Sequence, residues 1–273
     1  MFDLSISPSN NEFFIKPGQK YLLAFNITNH SKKTYSLNTS IEAWLPKDNQ
    51  GKVSYDNVIA DSSISFSLNN SDLELGQTFV LEPQEKKQLV LKIETTPYTN
   101  RKDHYFTFFI NQKNEYEISG KIGAHLVINT QEKQESSLSI KKFSTSPIIK
   151  DIFLKPIQFY GIINNNSSQF NKITGKLTIN KNNLTIKEYT LSPDTILGSY
   201  SRIIRCANKD AEIIPCAITP PFWPGFYTAT LTINSEKPLT AQTTFFIFPY
   251  SLIISLGLII SLGLFFYRRL SRR

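Results

Sequence analysis

From the first residue to about residue 245, apolar and polar side chains alternate with a period of two, broken by clusters of Asn, Gly and Pro. The stretch "KYLLAFNITN" sets Tyr21, Leu23, Phe25 and Ile27 on one face. "YSLNTSIEAWL" does the same for Leu37, Thr39, Ile41, Ala43 and Leu45. In "VLEPQEKKQLVLKIE" a polar turn leads into Leu89, Leu91 and Ile93, which alternate with Val90, Lys92 and Glu94. "HYFTFFI" and "ISGKIGAHLVIN" follow. Successive side chains of a strand point to opposite faces, so this alternation predicts sheets with one covered face. About seven such strands separated by polar turns predict a β-sandwich of immunoglobulin type. No stretch of this region carries a helical period.

Residues 131–137 are polar and charged without an apolar pattern, and read as a linker between a first domain at 1–130 and a second at 138–244. The second set of strands comprises "IQFYGIIN", "ITGKLTIN", "LTIKEYTL", "SRIIRCA", "GFYTATLTIN" and "AQTTFFIF". The pattern then changes. Residues 245–267 contain no charge, and at ~1.5 Å per residue such a run reaches about 34 Å as a helix. That is the length of a transmembrane α-helix. The fold class expected is therefore all-β: two tandem immunoglobulin-like sandwiches followed by one transmembrane α-helix.

Charge orients this arrangement. Arg268, Arg269, Arg272 and Arg273 form a basic tail at 268–273, and basic residues beside a span stay cytoplasmic. The sandwiches are then expected outside the cell membrane, with the C-terminus cytoplasmic. Export requires a signal peptide, and residues 1–20 lack its basic start and apolar core, so one is expected to be absent from this sequence. A cytosolic tail-anchored protein is the alternative, and it places the arginines on the wrong side. The formal net charge is +8, half of it supplied by the tail arginines. The remaining lysines are scattered among acids without a nucleic-acid motif, which argues against a nucleic-acid partner. Cys206 and Cys216, in "RCANKDAEIIPC", are the only cysteines. Outside the cytoplasm such a pair reads as a disulfide, with two free buried thiols as the alternative.

Chemistry is hard to find. There is no nucleophile elbow, no phosphate-binding glycine loop and no His-Glu-x-x-His. His30, His104 and His125 fall in different elements, and His125 reads as a structural imidazole within a strand. No metal or cofactor is expected, and the chain reads as a non-enzyme. Trp44 shares the parity of Ser36, Asn38, Ser40 and Glu42, which assigns it to the polar face. An outward tryptophan suits a binding contact, unless a bulge turns it inward or a loop covers it. Trp223, in the Pro-rich turn "PPFWPG", is a second candidate, placed near the membrane or against the cysteine loop. Tyr227 follows that turn at the start of a strand and reads as a tyrosine corner.

"FFIKPGQKYLLAFNITNHSKKTYSLNTSIEAWLPKDNQGKVSYDN" resembles the opening domain of the WxL-interacting protein family. The resemblance rests on the Pro-Gly-Gln turn, the strand ending Asn-x-Thr-Asn, and the spacing of Ala43, Asn49, Gly51 and Tyr55. "VLEPQEKKQLVLKI" fits the strand pair that follows. "NRKDHYFTFFI" departs from the family's glycine-containing lead into a late strand. The resemblance implies a peptidoglycan-binding immunoglobulin-like domain, a second sandwich, one C-terminal span and a basic tail. The same turns recur, more loosely, in pilus-chaperone-like domains. The function expected is that of a membrane-anchored bacterial cell-surface binding protein, engaging cell-wall polymer such as peptidoglycan or a partner surface protein. The alternatives are a membrane-held, chaperone-like assembly protein that uses strand-edge complementation, and a structural stalk.

Overall fold

The computed structural model describes residues 3–270 except 71, 114–117, 132–136, 146–148, 152–155, 183, 209, 211, 220–222 and 236. Most of the expected linker thus lies outside the described residues, as do Arg272, Arg273 and the side chain of Arg269. The chain divides into two compact units. One comprises residues 1–135 with 167–170 and 197–199, and the other holds the remainder.

The first sandwich begins with β1 (Leu4–Ser7), β2 (Asn10–Phe14), β3 (Lys20–Asn29) and β4 (Tyr35–Ala43). Then come β5 (Leu45–Pro46), β6 (Val53–Ser54), β7 (Ile64–Leu68) and β8 (Phe79–Leu81). The long strands β9 (Lys86–Thr95), β10 (Asp103–Lys113) and β11 (Ile118–Asn129) complete it. One sheet has the order β1-β3-β9-β7 and the other β2-β11-β10-β4-β8. The first strand is split between the two sheets: β1 pairs antiparallel with β3, the chain crosses at Pro8, and β2 pairs parallel with β11. The predicted inward positions meet between the sheets. Phe25, Ile27, Leu37, Leu89, Leu91, Ile93 and Phe108 belong to one core, and burying each such side chain contributes about 1.5–3 kcal/mol.

The second unit begins with β12 (Leu138–Thr145), β13 (Ile149–Lys150), β14 (Ile157–Asn165) and β15 (Asn171–Lys172). It continues through β16 (Thr174–Lys181), β17 (Leu184–Leu191), β18 (Thr195–Ile196), β19 (Ser201–Ile203) and β20 (Cys206–Ala207). The last strands are β21 (Ile213–Ile214), β22 (Ala217–Ile218), β23 (Gly225–Asn234) and β24 (Leu239–Ile247). A sheet of order β12-β14-β19 faces a larger one of order β13-β24-β23-β16-β17-β20-β21. Their core holds Ile163, Leu177, Ile179, Leu231 and both cysteines. Cys206 and Cys216 are joined by a disulfide, with 5.0 Å between their Cα atoms. The Tyr227 hydroxyl donates to the Trp223 carbonyl at 2.7 Å, the backward bond of a tyrosine corner.

Helix α1 (Tyr250–Leu270) ends the chain. Two sequence expectations change here. The charge-free run starts at Phe245, but Phe245 and Ile247 belong to the sandwich core and the helix starts at Tyr250. Among the described residues no helix is long and apolar enough to cross a membrane. The large apolar side chains described from Leu252 to Phe265 are all exposed.

Candidate binding surface

Trp44 is not an outward contact. Only 4% of it is exposed, and its indole Nε1 donates to the Phe106 carbonyl at 2.8 Å. Its ring lies 4.9 Å from that of Tyr105, nearly parallel, and 5.3 Å edge-on from His125. Parity gives the face correctly, since Tyr105 and His125 lie on the outer side of the sheet, but Trp44 is covered there, the alternative that the sequence left open. The chain leaves the pleat at Trp44, and Leu45, expected in the core, is 47% exposed instead.

The segment beyond Trp44 folds back over the outer face of the β10–β4 sheet. The Asp48 carboxylate accepts the backbone N–H groups of Gln50 and Lys52, and Gly51 adopts a φ of 96° that side chains resist. This turn delivers Tyr55 to the face. Tyr55 is hydrogen-bonded to Thr107 at 2.9 Å, and Thr107 to His125 Nδ1 at 2.9 Å. Lys121 closes the cluster, 4.2 Å from the centre of the Phe109 ring and paired with Glu42 at 3.3 Å. Three of the four spaced residues that suggested a family motif, Ala43, Gly51 and Tyr55, therefore have structural duties in this fold.

Burial lowers the pKa of His125 below its ordinary 6.5. The neutral imidazole is favoured in the folded state, so its contribution to stability is complete above pH 6.5 and is lost as the pH falls. Between about pH 7.5 and about pH 5.5, the unfolding midpoint of His125→Gln should shift downward less than that of the unmodified chain. Equal shifts would show that His125 does not carry the effect. His104, also lowered by burial, acts in the same sense in both proteins. Asp103, raised by burial to about 6, acts in the opposite sense between 3.8 and 6 in both.

One trio has the order of a catalytic triad. His104 lies 3.4 Å from Asp61 through Nδ1 and 3.3 Å from the Thr130 hydroxyl through Nε2. Yet Nε2 also sits 3.0 Å from the Asn100 carbonyl, an acceptor that binds the N–H tautomer. The Thr130 hydroxyl donates to the carbonyls of Asn100 and Lys102, and Thr130 is 1% exposed. A base whose nitrogen is protonated and a hydroxyl committed to backbone carbonyls are not set for nucleophilic attack. The trio is a latch that joins the start of β10 to the end of β11.

Two features of the first unit remain open to a ligand. β11 pairs with β10 along its whole length, but β2 covers only His125–Asn129. Among the described residues nothing pairs with Ile118–Ala124 on the side away from β10. His125 donates its N–H to Ser9, and Asn129 accepts from Ile15, both on the β2 side. Backbone groups alternate along a strand, so Lys121 and Gly123 present their N–H and C=O groups to the open edge. Gly123 lies beneath the side chains of Thr107 and Phe109, which leave no room for a Cβ. The second feature is a cavity of about 250 Å³ lined by Phe14, Lys16, Pro17, Pro97, Arg101 and Thr130.

Neither of these surfaces was singled out from the sequence. Trp223, in the second unit, is 74% exposed. The disulfide points to an extracytoplasmic location.

No family model matches the chain, that of the WxL-interacting proteins included, and no curated protein matches it. Solved structures do. The class 5 fimbriae chaperone CfaA is 14% identical with a TM-score of 0.41, covering 88% of this chain and 99% of that one. The E. coli chaperone DraB is 8% identical with a TM-score of 0.41, covering 90% and 97%. The Salmonella enterica SafA pilin in complex with the SafB chaperone gives 9% identity and a TM-score of 0.41, covering 89% and 97%. These are pilus-chaperone structures. At such scores the likeness carries no argument about function.

Proposed function

We propose that this chain is a non-catalytic extracytoplasmic binding protein, held at a membrane by α1, that takes an extended segment of a partner protein onto the open edge of β11. The half-covered edge is the observation that carries this reading. An added strand gains main-chain hydrogen bonds from such an edge, while alternate side chains set specificity. Natural sheets protect long edges with charges, prolines or covering loops. Between Gly120 and Ala124 the only charge is Lys121, which is drawn over Phe109 toward Glu42. β17 is also partly open, but it presents both Lys187 and Glu188. Membrane anchoring is supported by the exposed apolar side chains of α1 and by the arginines that end the sequence.

A second reading, binding of an anionic wall polymer, is favoured by Lys16 and Arg101, which line a cavity that, among the described residues, no acidic side chain lines. One experiment separates the two. Lys121→Pro removes an outward N–H from the edge and leaves the ladder to β10 intact, whereas Lys121→Ala removes only the side chain. Capture of envelope proteins by the immobilised chain should fall about tenfold or more with Lys121→Pro and persist with Lys121→Ala. Capture that both variants retain, together with polymer binding abolished by Arg101→Ala, would favour the second reading instead.

A further inference from the structure

The outer face of the β23–β24 pair changes character at one end. Along β23 the outward positions are Thr232, Thr230 and Thr228, and along β24 they are Thr240, Gln242 and Thr244. The next outward positions toward α1 are Phe226 and Phe246. These two residues are direct cross-strand partners, and Ile149 of β13 pairs with Phe246 on its other side. Phe248 extends the row, its ring 6.0 Å from that of Phe246, which lies 4.6 Å from the Phe226 ring. Phe226 is 70% exposed and Ile149 55%. Trp223 stands at the same end, its carbonyl held by Tyr227.

This apolar end is fixed to α1. The helix begins two residues after Phe248, and Asp151 holds its first turn. The Asp151 carboxylate accepts from the Ser251 N–H at 2.7 Å and the Ser251 hydroxyl at 2.9 Å. A carboxylate at a helix N-terminus satisfies otherwise unpaired donors and complements the helix dipole. Asp151 is itself buried beside β13. The aromatic row therefore lies at the end of the second sandwich where α1 begins. Lys181 borders it, donating to the Pro224 carbonyl at 2.9 Å.

We infer that Trp223, Phe226, Phe246, Phe248 and Ile149 seat the second sandwich on the bilayer that receives α1, at the level where headgroups meet acyl chains. This rests on the reading of α1 as a membrane anchor. Soluble surfaces seldom gather large apolar side chains in one patch. Aromatic rings with an apolar body and a polar edge favour that boundary, and a bordering lysine suits anionic headgroups. A partner protein on this face would have to share it with the lipid around α1, which begins within one turn of Phe248.

The test uses the full chain reconstituted into phosphatidylcholine–phosphatidylglycerol vesicles, compared with the Trp223→Phe variant. Trp223 is exposed, so this substitution leaves the fold intact, and buried Trp44 is a constant background. Lipids brominated near the headgroup end of the acyl chain should quench a component of emission present in the unmodified chain and missing in the variant. Acrylamide in solution should leave that component largely unquenched. Retention of the chain after an alkaline wash, with Trp223 quenched by acrylamide and not by brominated lipid, would overturn the seating and leave the anchor standing. Loss of the chain in the wash would overturn both.

Discussion

Replacing Trp44 with alanine is expected to destabilise the first sandwich by about 3–5 kcal/mol. For a unit of this size that corresponds to a fall in melting temperature on the order of 10–20 °C. The indole is nearly buried, stacks on Tyr105 and donates to the Phe106 carbonyl. Truncation would leave a cavity under the folded-back segment and remove the indole donor. Trp44→Phe retains a ring against Tyr105 and loses only that hydrogen bond, about 0.5–1.5 kcal/mol, because the Phe106 carbonyl keeps its partner in the β10–β11 ladder. Chemical denaturation of both variants measures the difference. A loss below about 1 kcal/mol for the alanine variant, with weakened partner capture, would restore Trp44 as a contact residue.

Removing the disulfide should be comparable in size. The loop between Cys206 and Cys216 has a sequence separation of 10, and closing it restricts the unfolded chain by about 2–3 kcal/mol. Both cysteines also belong to the core, so the double variant Cys206→Ala/Cys216→Ala loses packing of about 1 kcal/mol or more per site. The variant's second sandwich should unfold at clearly lower denaturant concentration while the first is unaffected. Because the bond joins strand β20 to the residue just before β22, reductant should have a similar effect on the unmodified chain. An unchanged transition with either treatment would mean that the bond does not form in the natural protein.

How far the sequence could be read follows from which contacts are local. Phe25, Ile27, Leu89, Leu91 and Ile93 were legible as core because each lies in a strand whose alternation continues for several residues on either side. Trp44 was read on the correct face, beside Tyr105 and His125, but its cover comes from contacts that parity does not record. Leu45 was misread because parity holds only within the pleat, and β4 stops at Ala43. Asn49 and Gly51 downstream suit a turn, but nothing local shows that the turn folds back onto Thr107 and His125. The start of the helix was hidden because β24 ends with both faces apolar: Phe245 and Ile247 inward, Phe246 and Phe248 outward. Alternation vanishes where inside and outside are equally hydrophobic.

The sequence by itself determined that the chain is mostly β, with two immunoglobulin-like sandwiches and a C-terminal apolar helix. Each of these is written in periodicity, composition or charge within a few residues. Only the tertiary structure decided that β2 covers half of β11, that Trp44 is covered on the outer face, and that a row of aromatics lies where α1 begins. The open edge depends on a pairing between segments more than a hundred residues apart. The aromatic row depends on the register of three strands, one of which, β13, is far in sequence from the other two. Such pairings are set by the packing of the whole sandwich, and no local pattern of side chains records them.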